Sequence, residues 1–159
     1  WQAEGIEFVT GVHVGRDFPT AKLLKDFDAV CVAGGCRAPR DLSIPGRELR
    51  GIHVALEYLI QANRRVANDP PAQEALIDAR GKQVVVLGGG DTGADCVGTA
   101  HRQGARRVAQ LELLPQPPEL RNPKECWPDY PMILRTSTSH AEGDTVREWS
   151  VLTKRVLGT

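Results

Sequence analysis

The stretch Gln83-Val84-Val85-Val86-Leu87-Gly88-Gly89-Gly90-Asp91-Thr92-Gly93 constrains the fold more than any other part of the chain. Val84 to Leu87 form an unbroken apolar run, which predicts a parallel strand buried on both faces. Gly88, Gly90 and Gly93 follow in the spacing Gly-x-Gly-x-x-Gly. A helical pattern then runs from Thr92 to about Gln103 and stops at Gly104. Strand, glycine turn and helix start come in the order a dinucleotide-binding βαβ unit requires. Gly88 lets the chain turn sharply, Gly90 lets a pyrophosphate approach the backbone, and Gly93 lets the helix pack closely on the strand. The first amides of the helix would then face phosphate oxygens along the helix dipole.

A second apolar run, Val108-Ala109-Gln110-Leu111-Glu112-Leu113-Leu114, predicts the next strand. Glu112 lies 22 residues beyond Gly90 (112 − 90), close to the spacing of the acid that binds a ribose diol in such units. Read without those flanks, the same glycines describe only a tight turn of another α/β protein, with Glu112 solvated.

The 159 residues suffice for one domain or two partial ones. Twenty basic residues balance twenty acidic ones, so no net field favours nucleic acid or an anionic membrane as a partner. No apolar run approaches a membrane span and no signal peptide is visible. The chain opens on Trp1 in a strand-like pattern, as an excerpt of a longer protein would. Cys31, Cys36, Cys96 and Cys126 form no Cys-x-x-Cys pair, so no metal site is expected here. Cys31 and Cys96 fall in apolar patterns and are expected to be buried, and free thiols suit a reducing, cytoplasmic setting.

Residues 5–10 alternate weakly and predict a strand, with residues 11–15 as its continuation or partner. Residues 20–25 predict a single helical turn. Asp28 to Ala33 form another buried-strand pattern that ends in Gly34-Gly35, either a close approach to a ligand or a simple turn. A proline-punctuated connector carries Arg37, Arg40 and Arg47, which suit phosphate or carboxylate, or solvent. From about Gly51, Ile52, Ala55, Leu56, Leu59 and Ile60 make one helical stripe, leaving His53 and Tyr58 partly exposed. Asn68-Asp69-Pro70-Pro71 opens a linker, with a short helix expected over residues 72–80. Six prolines between Pro115 and Pro131 exclude a helix, and Trp127 and Tyr130 among them predict an ordered loop. Residues 147–152 predict a last strand.

These stretches together resemble the small (beta) subunit of glutamate synthase. The resemblance is carried by Phe27-Asp28-Ala29-Val30 to Gly35, by Pro39-Arg40-Asp41-Leu42 to Pro45-Gly46-Arg47-Glu48-Leu49, and by Val86 through Cys96. It continues in Leu111-Glu112-Leu113-Leu114-Pro115-Gln116-Pro117-Pro118 and Trp127-Pro128. It implies an α/β fold: a Rossmann-like parallel sheet with flanking helices, made of a partial flavin-domain segment plus a partial nicotinamide-binding domain. Residues 1–66 would end the first flavin-domain segment and its connecting helix, residues 67–81 would be a linker, and residues 82–159 would belong to the nicotinamide domain. Gly34 and Gly35 would lie beside FAD. Gly88, Gly89, Gly90, Asp91, Thr92 and Gly93 would hold the pyrophosphate of NADH or NADPH.

The chemistry implied is hydride transfer from reduced nicotinamide to flavin. Iron–sulfur clusters in an amino-terminal part would relay electrons to the large (alpha) subunit, which makes glutamate from glutamine and 2-oxoglutarate. No residue of this stretch is implied as an acid or base. Two departures stand out. Leu111-Glu112-Leu113 replaces an arginine pair that would suit a 2′-phosphate, which predicts a preference for NADH, with Arg121 placed to reverse it. Cys126 and Tyr130 replace Asn and Trp in the Trp-Pro loop. Competing readings are a reducing subunit of a related flavin and iron–sulfur oxidoreductase, dihydropyrimidine dehydrogenase-like or ferredoxin-linked, and a non-catalytic dinucleotide-binding module.

Overall fold

A computed structural model describes residues 1–36, 38–69, 75–124 and 133–158. By contacts the chain divides into two compact units, Trp1–Cys36 and Arg37–Thr159.

In the first unit, helix α1 spans Thr20–Asp26. Trp1 stacks on Phe8 with ring centroids 6.3 Å apart. Val14 and Phe18 make a lone parallel bridge. The strands expected over residues 5–10 and 28–33 do not form: both segments run without ladder partners. A strand exists only through its neighbours' hydrogen bonds, and none of the described residues supplies them. Val32 is therefore 90% exposed, and Cys31, expected to be buried, is exposed as well.

The second unit is built on a three-stranded parallel sheet in the order β1-β2-β3, with β1 Gln83–Leu87, β2 Arg107–Leu111 and β3 Thr145–Glu148. Helix α2 covers Ala55–Val66 and helix α3 covers Asp91–Arg102. A 3-10 helix, Thr138–Glu142, precedes β3. α3 connects β1 to β2, as the glycine turn predicts. Its buried face is made of small residues, Ala94, Cys96, Val97, Gly98, Thr99 and Ala100, so its axis lies close to its neighbours. A β-carbon on Gly98 would come within 2.9 Å of the Ser139 side chain on the 3-10 helix. α3 stops where Gly104 takes φ +81 and donates its amide back to the His101 carbonyl.

The core gathers Val86, Val97, Ala100 and Val108 with Cys96, Ala79 and Tyr58. Burial pushes the Cys96 thiol up to about 11, with Asp95 adding to the shift, which makes it an inert packing group. Tyr58, expected to be partly exposed, is buried, while Ile60 from the expected stripe is exposed. The reason is a polar anchor: the Tyr58 hydroxyl donates to Gln103 Oε1 at 3.1 Å, turning the ring of α2 onto the end of α3. Gln103 Oε1 also accepts the Ala79 amide at 2.9 Å.

Residues 75–79 are not helical. Gln61 of α2 holds them extended by accepting the Ile77 amide and donating to the Ala75 carbonyl. Residues 72–74 of that expected helix, Pro70-Pro71, Arg37 and the loop of Cys126, Trp127 and Tyr130 lie outside the described residues.

Three other expectations shift. β1 is not buried on both faces, since Val85 is 59% and Leu87 42% exposed. Among the described residues helices cover only the Val84/Val86 side. β2 ends at Leu111 because the next residues curl over the Glu112 carboxylate, which accepts the Leu114 amide at 3.0 Å. β3 ends at Glu148, before Ser150 adopts φ +59, which no ladder position tolerates.

The proline-rich connector also has a defined seat. Arg47 donates through Nε to Asp41 Oδ1 at 2.5 Å and through Nη1 to the Ile52 carbonyl. Gly46, at φ +86, lies against the Val156 carbonyl, and the Val156 amide donates to the Pro45 carbonyl at 2.9 Å.

Candidate functional site

All three strands are parallel, so their carboxyl ends open on one edge of the sheet, where open α/β folds bind ligands. The glycine turn follows β1, Glu112 follows β2, and Trp149 follows β3. Together they border a cavity of about 260 Å³ lined by Gly89, Gly90, Asp91, Glu112, His140 and Arg147 among others.

The turn leaves the sheet through Gly88, whose amide still bonds to the Leu111 carbonyl and whose φ is +120. Only glycine holds that backbone angle without strain. Gly90 caps α3, and the first helical hydrogen bond runs from the Ala94 amide to the Gly90 carbonyl. The amides of Asp91, Thr92 and Gly93 therefore precede the hydrogen-bonded helix and sit at the positive end of its dipole. No heavy atom of the described residues lies within 4 Å of a β-carbon built on Gly90, so the backbone there is open to close approach. Gly93 has a different task. Its β-carbon would collide with the Gly88 carbonyl oxygen and lie 2.9 Å from Gln110 Nε2.

Glu112 reaches back over the turn. One carboxylate oxygen accepts the Gly89 amide and the other accepts that of Leu114. A β-carbon on Gly89 would sit 2.6 Å from that first oxygen. The acid is thus fixed at the mouth of the turn and shares its cavity.

The other sequence-derived residues fall elsewhere. Arg121 is exposed on the loop after β2 and does not line the cavity. Gly34 and Gly35 close an unpaired extended segment of the first unit. Gly35 has φ +65, and no heavy atom of the described residues lies within 4 Å of a β-carbon on either residue. Among the described residues, no group of three or more His, Cys, Asp or Glu side chains converges as a metal site would require.

The structure adds residues that the motif does not contain. Gln110 is 2% exposed. Its Nε2 donates to the Gly88 carbonyl at 2.9 Å, and its Oε1 lies 2.8 Å from His140 Nε2. His140 Nδ1 accepts the Ser137 amide at 3.1 Å, with the Ser137 hydroxyl 2.9 Å away. Burial, with the positive Arg147 nearby, holds the His140 imidazole below its ordinary pKa. The Arg147 guanidinium lies 5.2 Å from the centre of the Trp149 ring and donates to the Arg135 carbonyl. A polar Gln110 at an inward register of an apolar strand was the available signal for this network. The Ser137-x-x-His140 spacing of a capping box was another.

The chain matches the family model described as Pyridine nucleotide-disulphide oxidoreductase over residues 2–125. It is 51% identical over 99% of its length to the "Glutamate synthase [NADPH] small chain" of Mycobacterium tuberculosis, covering 33% of that protein. Over 97% of its length it is 39% identical to the protein of the same name from Bacillus subtilis, covering 32% of it. To "Glutamate synthase [NADH]" of Schizosaccharomyces pombe it is 46% identical over 95% of its length, covering 8% of that protein. The chain therefore spans about a third of the small chains it matches. A Rossmann-like parallel sheet with this glycine turn, and a family match across most of the chain, lead to one conclusion: the chain belongs to the pyridine nucleotide-disulphide oxidoreductase family.

Proposed function

We propose that this chain is part of a glutamate synthase small subunit and contributes most of its nicotinamide dinucleotide site. The observation that carries the reading is the pairing of the Gly88–Gly93 turn with the Glu112 carboxylate in one cavity at the strands' carboxyl edge. Similarity to small chains over nearly the whole length supports it.

In this reading Gly88 to Gly93 hold the pyrophosphate: the amides of Asp91, Thr92 and Gly93 at the helix start face it, Gly90 lets it approach, and the Gly89 amide stays on Glu112. Glu112 accepts the hydroxyls of the adenosine ribose, which favours NADH because a carboxylate repels a 2′-phosphate. Arg121 is the residue placed to counter that preference. Residues 1–66 form the end of a flavin-domain segment with α2 as connecting helix, residues 67–81 the linker, and residues 82–159 the nicotinamide domain. Gly34 and Gly35 lie beside FAD in this arrangement, and their unobstructed backbone suits such an approach. Iron–sulfur clusters are assigned to parts of the protein beyond this chain.

The reaction supported is hydride transfer from reduced nicotinamide to flavin, with electrons passing on to a large subunit that forms glutamate from glutamine and 2-oxoglutarate. Within this chain the residues bind and orient; none is assigned an acid or base role. No helix among the described residues is long and apolar enough to cross a membrane. The exposed Cys31 is a free thiol, which suits the reducing cytoplasm.

The test is a titration of the intact enzyme carrying this chain with NADH and with NADPH, following dye reduction. A much lower KM for NADH is expected. A lower KM for NADPH refutes the Glu112 assignment, and no reduction with either cofactor refutes the function.

A further inference from the structure

The direction of the Gly88–Gly89 peptide is set by side chains outside the glycine motif. A backbone amide can only donate, so the Ser137 N–H makes His140 Nδ1 an acceptor. His140 Nε2 therefore carries the proton and donates to Gln110 Oε1. That contact leaves the Gln110 amide nitrogen to face the Gly88 carbonyl. With the carbonyl drawn toward Gln110, the other end of the same planar peptide, the Gly89 N–H, meets Glu112.

We propose that Gln110, His140 and Ser137 are positioning residues for the dinucleotide: they fix the glycine turn in its binding-competent orientation, and they do so only while His140 is neutral. This rests on the cofactor reading above. The opposite tautomer, or an imidazolium, would aim an N–H at the Ser137 N–H. The opposite tautomer would also turn the Gln110 oxygen onto the Gly88 carbonyl.

The charged groups around His140 agree with a neutral ring. Arg147 of β3 and Arg135 line the same cavity, with Asp91 of α3 and Glu112 at its turn side. On the faces of α3 and the 3-10 helix that meet, Arg102 is paired with Glu142 at 2.5 Å and His101 Nε2 lies 2.7 Å from the Thr145 hydroxyl. Among the described residues no carboxylate is hydrogen-bonded to the His140 ring to compensate a proton on it.

The experiment measures NADH affinity of the intact enzyme by calorimetry at pH 7.5 and pH 5.5, with melting temperature recorded alongside. Wild type should bind several-fold more weakly at pH 5.5. Gln110→Leu and His140→Leu should each weaken NADH binding about tenfold at pH 7.5. His140→Gln keeps a donor toward Gln110 without a titrating group. It should recover most of what His140→Leu loses and flatten the pH dependence.

Folded Gln110→Leu that binds NADH as wild type does would overturn the proposal. So would a His140→Gln enzyme that keeps the wild-type pH slope, and this arm decides alone if Gln110→Leu does not fold. A lowered melting temperature with unchanged affinity at both pH values assigns these residues a purely structural role and overturns it too. If wild type binds neither NADH nor NADPH, the cofactor reading itself has failed, and the positioning role falls with it.

Discussion

Gln110 and Glu112 stand two residues apart on one face of β2 and its extension, and they hold opposite ends of the peptide that joins Gly88 to Gly89. The amide of Gln110 takes the carbonyl and the carboxylate of Glu112 takes the N–H. Strand periodicity explains how: residues i and i+2 project to the same side, here toward α3. The first peptide of the turn is thereby fixed without any side chain of its own.

Replacing Gly93 by alanine should be the most damaging single change at the turn. Its β-carbon meets the Gly88 carbonyl, which belongs to the backbone and cannot swing aside. A loss of about 1–3 kcal/mol is expected, typical of forced overpacking. Thermal denaturation reads it. Gly89→Ala meets a side chain rather than backbone, Glu112 Oε2 at 2.6 Å and its Cβ and Cγ at 3.2 Å, so its melting temperature should fall less than that of Gly93→Ala.

Glu112→Ser should shift cofactor choice. Removing the charge removes the repulsion of a 2′-phosphate, and the kcat/KM ratio of NADPH to NADH should rise by about tenfold, a change of roughly 1.4 kcal/mol in discrimination. Steady-state kinetics with both cofactors measure this, and an unchanged ratio would place the ribose elsewhere.

The His140 environment makes a stability prediction with a definite sign. Its folded pKa lies below the ordinary value of 6.5 through burial and Arg147. A histidine that the fold keeps neutral contributes its full share above the unfolded pKa. That share is lost as pH falls from about 6.5 through the lower folded value, because the unfolded chain takes up the proton first. Denaturant midpoints should therefore decline over this window in wild type and less steeply in His140→Gln.

Gln103 should matter more than its partner Tyr58. Tyr58→Phe removes one hydrogen bond and leaves Gln103 Oε1 with the Ala79 amide, for a cost of about 1 kcal/mol. Gln103→Leu strands that amide beside the buried Ala79 and should cost about 1–3 kcal/mol. Urea unfolding of the two variants would show the order, and the reverse order would contradict the hydrogen-bond assignment.

Gly46→Ala tests the seat of the connector. At φ +86 and against the Val156 backbone, an added β-carbon is both strained and obstructed. A loss of at least about 1–2 kcal/mol is expected from the backbone angle alone. Faster amide exchange at Val156 should accompany it.

The unit around the glycine turn was legible in the sequence because its signals are local. The run Val84 to Leu87, the glycine spacing and the stop at Gly104 each describe a neighbour-to-neighbour geometry. They placed β1 and α3 within a residue or so. Tyr58 was misjudged because its burial depends on Gln103, 45 residues away, which no helical periodicity encodes. His140 and Arg147 carry no local signal of a site for the same reason: the 3-10 helix and β3 reach the cavity only through the parallel sheet. In the first unit the apolar pattern over residues 28–33 described what a strand's side chains would need, not whether partner strands were at hand.

The bare side of β1 has a practical consequence. Val85 and Leu87 face outward, and β1 is an edge strand whose outer amides and carbonyls have no ladder partner among the described residues. An edge of this kind, without a lysine or proline within the strand to blunt it, recruits another strand by backbone bonding and apolar contact alike. Handled by itself at high concentration, this polypeptide should self-associate and bind hydrophobic dyes. Charged substitutions at Val85 should hold it in solution.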